Sequence, residues 1–263
     1  MVKKFVYGTP FETEAVVKEI PSSEGNPDYG TFATENGFYF TTKLADDDMV
    51  FGLGEANRGI NKRGFLYISD CADDPNHVES KTSLYAAHNF IIISGKTHVG
   101  FFFDYPGTLR FDIGYTTSDT MTVSCENADL YVYMITGDSD LDIVKQFRGI
   151  IGRSYIAPKF AFGYGQSRWG YKTEDDFRTV VKKYRENHVP LDMVYMDIDY
   201  MQDYKDFTVN EERFPDFEGF VQDMKKEKIH LVPIIDAGVK VEKGYDIYEE
   251  GCEKGYFCRR EDG

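Results

Sequence analysis

The apolar residues of this chain change period part-way along, and that change most restricts the folds open to it. From about Thr31 to Gly137 hydrophobic residues recur with a period near two, in short runs broken by Gly, Asn, Asp and Ser turns, the pattern of antiparallel strands with one buried face. The runs Gly37 to Thr42, Met49 to Leu53, Asn89 to Ser94, Val99 to Phe103, Leu109 to Ile113, Met121 to Cys125 and Leu130 to Ile135 lie close together, joined by tight turns such as Ser94-Gly95-Lys96, and predict a β-sandwich. After Gly137 the spacing becomes helical. Leu141, Ile143, Val144, Phe147, Ile150 and Ile151 fall at three-and-four intervals, with Asp138 or Ser139 placed to cap the first turn.

Beyond Pro158 strand and helix alternate. Phe160 to Tyr164 and Leu191 to Met196 read as strands, with a Thr173-capped helix carrying Phe177, Val180, Val181 and Tyr184 between them. Asp216 caps a further helix bearing Phe217, Phe220, Val221 and Met224, ahead of a buried parallel strand at His230 to Ile235. The strands recur at the spacing of a βαβ unit, roughly 30 residues or more. The expected organisation is a sandwich over residues 1–138, a linking helix over 139–157 and three βα units over 158–263. Periodicity alone leaves two architectures open for the last part, a doubly wound sheet or an eight-stranded barrel.

Charge narrows the function. The 45 acidic and 30 basic residues leave a formal charge of -15, which repels phosphate backbones and anionic lipid surfaces, so neither nucleic acid nor a membrane is an expected partner. The 19 Tyr and 21 Phe, with abundant carboxylates, suit a neutral polyhydroxylated ligand. Cys71, Cys125, Cys252 and Cys258 form no CxxC pair and are expected as reduced thiols without a metal. Met1 to Val17 lacks the apolar core of a signal peptide and no long apolar run follows, so the expected setting is soluble and cytoplasmic. The oligomeric state stays open, a homo-oligomer included.

In either architecture the C-terminal ends of parallel strands face the ligand. Here those ends read Gln166-Ser167-Arg168-Trp169, Asp197-Ile198-Asp199-Tyr200 and Asp236. The G-x-G at Gly163 and Gly165 has no third glycine behind it, so no dinucleotide fingerprint is present. Asp197 and Asp199 are two residues apart, which on an extended chain puts both carboxylates on one side. An acid pair catalyses glycoside cleavage from opposite faces of the sugar, so Asp197 is read instead as a hydroxyl-binding carboxylate and Asp199 as a loop anchor. Trp169, the only tryptophan, is placed to stack on a sugar ring, and Arg168 to pair with Asp197. In the sandwich, Asp70, Asp73 and Asp74 share a turn-rich loop that lacks the Gly and bidentate Glu of a calcium site.

These residues resemble family-31 glycoside hydrolases, the α-glucosidase and α-xylosidase family. The match lies in Phe51-Gly52-Leu53-Gly54-Glu55, in Pro158 and Gly163 through Tyr171, in Pro190-Leu191-Asp192 with Asp197 through Met201, and in Arg213-Phe214-Pro215-Asp216-Phe217. The resemblance implies an N-terminal β-sandwich followed by the opening of a (β/α)8 barrel. It also implies an exo-acting retaining enzyme that removes non-reducing α-linked glucose from oligosaccharides, with no metal or organic cofactor. Substrate-binding roles carry over to Asp197 and Ile198 in the first sugar site, to Ile234 and Asp236 at the third strand, to Trp169 beside the next sugar, and to Asp73, preferred over Asp70, on the aglycone side. Alternatives are an α-xylosidase, or a non-catalytic carbohydrate-binding sandwich. The family nucleophile lies in a Trp-x-Asp-Met-Asn-Glu segment that does not occur in these residues, and the acid/base segment is missing too, so no catalytic residue is assigned. The purified 263-residue chain is therefore expected to show no turnover of p-nitrophenyl α-glucoside; measurable hydrolysis would overturn that reading.

Overall fold

The alternation of Phe38, Phe40 and Thr42 with Tyr39, Thr41 and Lys43 turns one side of a strand wholly inward, and Thr120–Cys125 alternates in the same way; the computed structural model describes residues 1–260. The last three residues of the expected barrel portion lie outside the described residues. The chain divides into two units, Met1–Ser154 and Tyr155–Gly263.

The first unit is a sandwich of two five-stranded antiparallel sheets. One runs β1 (Val2–Tyr7), β10 (Leu130–Gly137), β7 (His98–Asp104), β6 (Phe90–Ser94), β4 (Met49–Gly52); the other runs β2 (Thr31–Ala33), β3 (Phe38–Lys43), β9 (Thr120–Cys125), β8 (Leu109–Ile113), β5 (Phe65–Ser69). All seven expected runs are strands. Three further strands, β1, β2 and β5, were not expected: β1 carries two lysines, β2 is three residues long, and Phe65-Leu66-Tyr67-Ile68 has no alternation. Phenylalanines fill the space between the sheets. Phe40 and Phe101 meet at 4.6 Å, and Phe103 lies 5.9 Å from Phe111 in an edge-on contact, the tilted arrangements that ring quadrupoles favour.

The helical stripe after Gly137 forms α1 (Asp140–Ile151), and Ser139 is its cap, accepting from the Asp142 amide at 3.2 Å. This helix does not stand apart as a 139–157 link. Ile143 joins Ile92 and Ile135 on the outer face of the first sheet, and the Phe147 ring stacks on Phe90 at 3.9 Å with a 2° interplanar angle. Gly100 makes the close approach feasible, since a Cβ there would sit 2.5 Å from Ile143 Cγ2.

The second unit carries a parallel three-stranded sheet in the order β11 (Gly165–Gln166), β12 (Met193–Met196), β13 (His230–Pro233). Its first strand is shorter and later than the expected Phe160 to Tyr164. Pro158 holds φ at -56° and opens a 3₁₀ turn over Lys159–Phe162, so pairing begins only at the Tyr164 carbonyl, which accepts from the Asp192 and Met193 amides. Helix α2 (Glu174–Glu186) starts on a capping box between Thr173 and Asp176, and α3 (Phe217–Lys226) on Asp216. A fourth helix, α4 (Asp246–Lys254), was not expected. Phe177, Val194, Met196, Phe214, Phe220 and Met224 form the core between helices and sheet. The opposite face is open, which is why β13, read as a buried strand, is only half-buried and Tyr195 is 38% exposed. Among the described residues no helix is long and apolar enough to cross a membrane.

The docking of α1 gives a stability test. Phe147→Ala is expected to cost about 2 kcal/mol, below the range for fully buried Phe because the ring is only half-buried. Leu141→Ala, on the exposed side, is expected to stay within about 0.5 kcal/mol. Urea unfolding followed by circular dichroism distinguishes the two, and equal losses would show that the stacked ring does not hold the helix.

Candidate substrate-binding site

Parallel pairing fixes where the strand tips fall. Gln166 pairs with Val194, and Met196 with Pro233, so the chain leaves all three strands along one edge of the sheet, each neighbour about 4.8 Å away. Trp169, Asp197, Ile198, Ile234 and Asp236 all follow at that edge. Trp169 sits in the turn after β11 and is 71% exposed. Asp197 follows Met196 directly and is half-buried, its Oδ1 accepting from the Ile198 amide at 2.8 Å. Ile234 is 41% exposed while its amide donates to the Met196 carbonyl. Asp236 is exposed in the left-handed region at φ 55°, a conformation that Asp tolerates better than most residues.

The extended geometry expected for Asp197 and Asp199 does not occur. Asp197 caps a 3₁₀ turn over Ile198–Tyr200, and that turn carries Asp199 into the interior, where it is 2% exposed. Its Oδ1 lies 3.7 Å from Arg213 Nη1, which also donates to the Asp199 carbonyl at 2.7 Å; Oδ2 is buried without a partner among the described residues. The Arg168–Asp197 pair does not form either. Arg168 is exposed, and the guanidinium that meets a strand-end carboxylate is Arg213. Tyr200 completes the tie, its hydroxyl donating to the Ile234 carbonyl at 2.9 Å and so linking the tips of β12 and β13. The sequence held one unread signal for these contacts: Arg213 stands in the Arg-Phe-Pro stretch of the resemblance without a role.

Asp73 belongs to the other unit, on the loop between β5 and β6. It is exposed, and after desolvation its carboxylate is the next cause that pushes the Tyr85 phenol up. Asp74 is spent on structure: it pairs with Lys81 at 2.9 Å and accepts from the Asn76 amide, contacts that hold its carboxyl at about 2. The Phe51-Gly52-Leu53-Gly54-Glu55 stretch ends β4. Gly52 takes φ 126°, and a Cβ there would lie 2.2 Å from the Phe90 carbonyl oxygen, so glycine is required by a close backbone crossing.

Residues 11–112 match the model of the glycosyl hydrolase 31 N-terminal galactose mutarotase-like domain, and residues 154–263 that of the glycosyl hydrolases family 31 TIM-barrel domain. The chain is 34% identical over 239 residues to alpha-glucosidase 2 of Bacillus thermoamyloliquefaciens, which covers 89% of this chain and 30% of the relative. The chain belongs to glycosyl hydrolase family 31. An alpha-glucosidase of Saccharolobus solfataricus is 26% identical to this family 31 chain over 267 residues, covering all of it and 38% of the relative. Among solved structures, a family 31 dextranase of Flavobacterium johnsoniae complexed with isomaltotriose superposes with a TM-score of 0.77 at 24% identity, over 85% of this chain and 27% of that one. The family 31 chain thus spans about a third of the length of these relatives. Its fold is the N-terminal mutarotase-like β-sandwich followed by the first βα units of the TIM barrel, which removes the doubly wound alternative.

The Asp199–Arg213 contact generates a test in this family 31 chain. Arg213→Met leaves a buried carboxylate without its partly exposed cation and is expected to cost about 1–3 kcal/mol, the penalty for an unsatisfied buried polar group, read from urea unfolding by circular dichroism. Adding Asp199→Asn to Arg213→Met is expected to restore part of that loss; no recovery would mean that the guanidinium acts through packing alone.

Proposed function

We propose that the complete protein is an exo-acting retaining α-glucosidase that hydrolyses non-reducing terminal α-linked glucose from oligosaccharides. The observation that carries this reading is the half-buried Asp197 at the edge of the parallel sheet with an exposed Trp169 on the neighbouring strand end, in a chain whose curated relatives include alpha-glucosidases. In this reading Asp197 accepts hydrogen bonds from hydroxyls of the terminal glucose, charge-assisted contacts stronger than neutral ones. Ile198 and Ile234 form the apolar side of that sugar site, Asp236 adds a further acceptor, and Trp169 walls the next sugar. Asp73 serves the aglycone side.

Retention needs a nucleophile and an acid/base about 5 to 5.5 Å apart on either side of the glycosidic bond, with no metal or organic cofactor. Asp199 is unsuited to either role, because it is buried against Arg213 and cannot reach a sugar. Both catalytic carboxylates therefore come from residues outside this stretch, and the part played here is binding and orientation. Such binding raises the rate where it strengthens towards the transition state.

In the complete enzyme Asp197→Ala is expected to lower kcat/KM on maltose by roughly a hundredfold or more, from the loss of charged hydrogen bonds worth about 1.5–3 kcal/mol each. Steady-state kinetics measure this, and unchanged constants would reduce Asp197 to a surface acid.

A further inference from the structure

The outer face of the second sheet of the sandwich holds a groove of about 550 Å³, far along the sequence from the strand ends considered above and within the roughly 300–1,000 Å³ typical of small-ligand sites. Strand register explains it. Tyr39 on β3 pairs with Ser124 on β9, and Ser124 pairs with Arg110 on β8, so the three side chains form a row across adjacent strands. The middle one is the smallest. A serine between a tyrosine and an arginine leaves a trough spanning about 10 Å across two strand spacings, and the loop residue Tyr105 with Asn36 and Glu126 closes its rim.

The groups in the trough are largely unspent. Tyr39 is 42% exposed although its neighbours Phe38 and Phe40 are fully buried. Arg110 Nη2 lies 3.7 Å from Asp112 Oδ2, too far for a hydrogen bond, and Asp112 accepts instead from the Tyr115 and Thr116 amides. Arg110 and Glu126 balance in charge, and the chain as a whole is at -15, so an anionic ligand has no favourable field. An exposed tyrosine ring, a second, partly buried tyrosine at the rim, a planar five-donor fork, an amide, a hydroxyl and a carboxylate in one shallow groove are the chemistry that recognises a ring with hydroxyls pointing outward.

We propose that this groove is a second, non-catalytic site on the sandwich for a neutral oligosaccharide, with Tyr39 and Tyr105 against sugar rings and Arg110, Ser124 and Glu126 on hydroxyls. It stands independently of the strand-end site, because no residue is shared. Titrating the ¹⁵N-labelled chain with maltotriose tests it. Amide shifts are expected at Tyr39, Arg110, Ser124 and Glu126. Tyr39→Ala and Arg110→Gln should each weaken binding read at those amides by about fivefold or more, while Tyr39→Phe keeps most of it. Asp197→Ala should leave these amide shifts as they are. Absence of shifts at these four residues, or shifts that persist unchanged in both Tyr39→Ala and Arg110→Gln, would overturn the proposal. Shifts confined to the Trp169 and Asp197 region would do the same while leaving the strand-end site intact.

Discussion

The central strand of the parallel sheet is bonded on both sides, and the position of each candidate residue in the second unit depends on that register. β12 pairs Met193 and Val194 with β11, and Met193 through Met196 with β13. Moving either pairing by one residue would invert the facing of every side chain on the shifted strand, withdrawing Val194 and Met196 from the helices. The register is held by the apolar cluster as much as by the ladder. Asp197, the first residue past the paired segment, inherits its position from that packing.

Beyond the ladder, the tips are joined by polar contacts that act over very different distances in sequence. Tyr200 reaches the Ile234 carbonyl, and Arg213 reaches both the carbonyl and the carboxylate of Asp199. The 3₁₀ turn separates two acids that are near neighbours in the chain. One is presented at the sheet edge and the other is sequestered, where an unpartnered buried oxygen costs about 1–3 kcal/mol. Two carboxylates in different surroundings result from a turn of three residues, with no difference in residue type.

In the sandwich the same division between faces recurs. The inner face is a layer of phenylalanines in contact across the sheets, and the outer faces are used differently. The first sheet receives α1 through Ile143 and Phe147, whereas the second leaves a row of Tyr39, Ser124 and Arg110 uncovered. Gly100 accounts for part of that asymmetry, because a larger residue there would hold the helix off the first sheet.

Local chemistry was legible in the sequence. The seven strands β3, β4 and β6 to β10, the caps Ser139, Thr173 and Asp216, and the placement of Trp169, Asp197 and Asp236 after strand ends all follow from period and from short-range hydrogen bonding, because each involves residues within a few positions of one another. The Pro158 turn was a local signal too, outweighed by the apolar run Phe160 to Phe162. What only the tertiary structure decided is every relation across long separations: the inward turn of Asp199 onto Arg213, the tie from Tyr200 to β13, the attachment of α1 to the sandwich, and the trough formed where three distant strands bring Tyr39, Ser124 and Arg110 into one row. Pattern states which face of an element is buried, but not which element will cover it, since that depends on packing among segments whose order in the chain does not by itself fix their order in space.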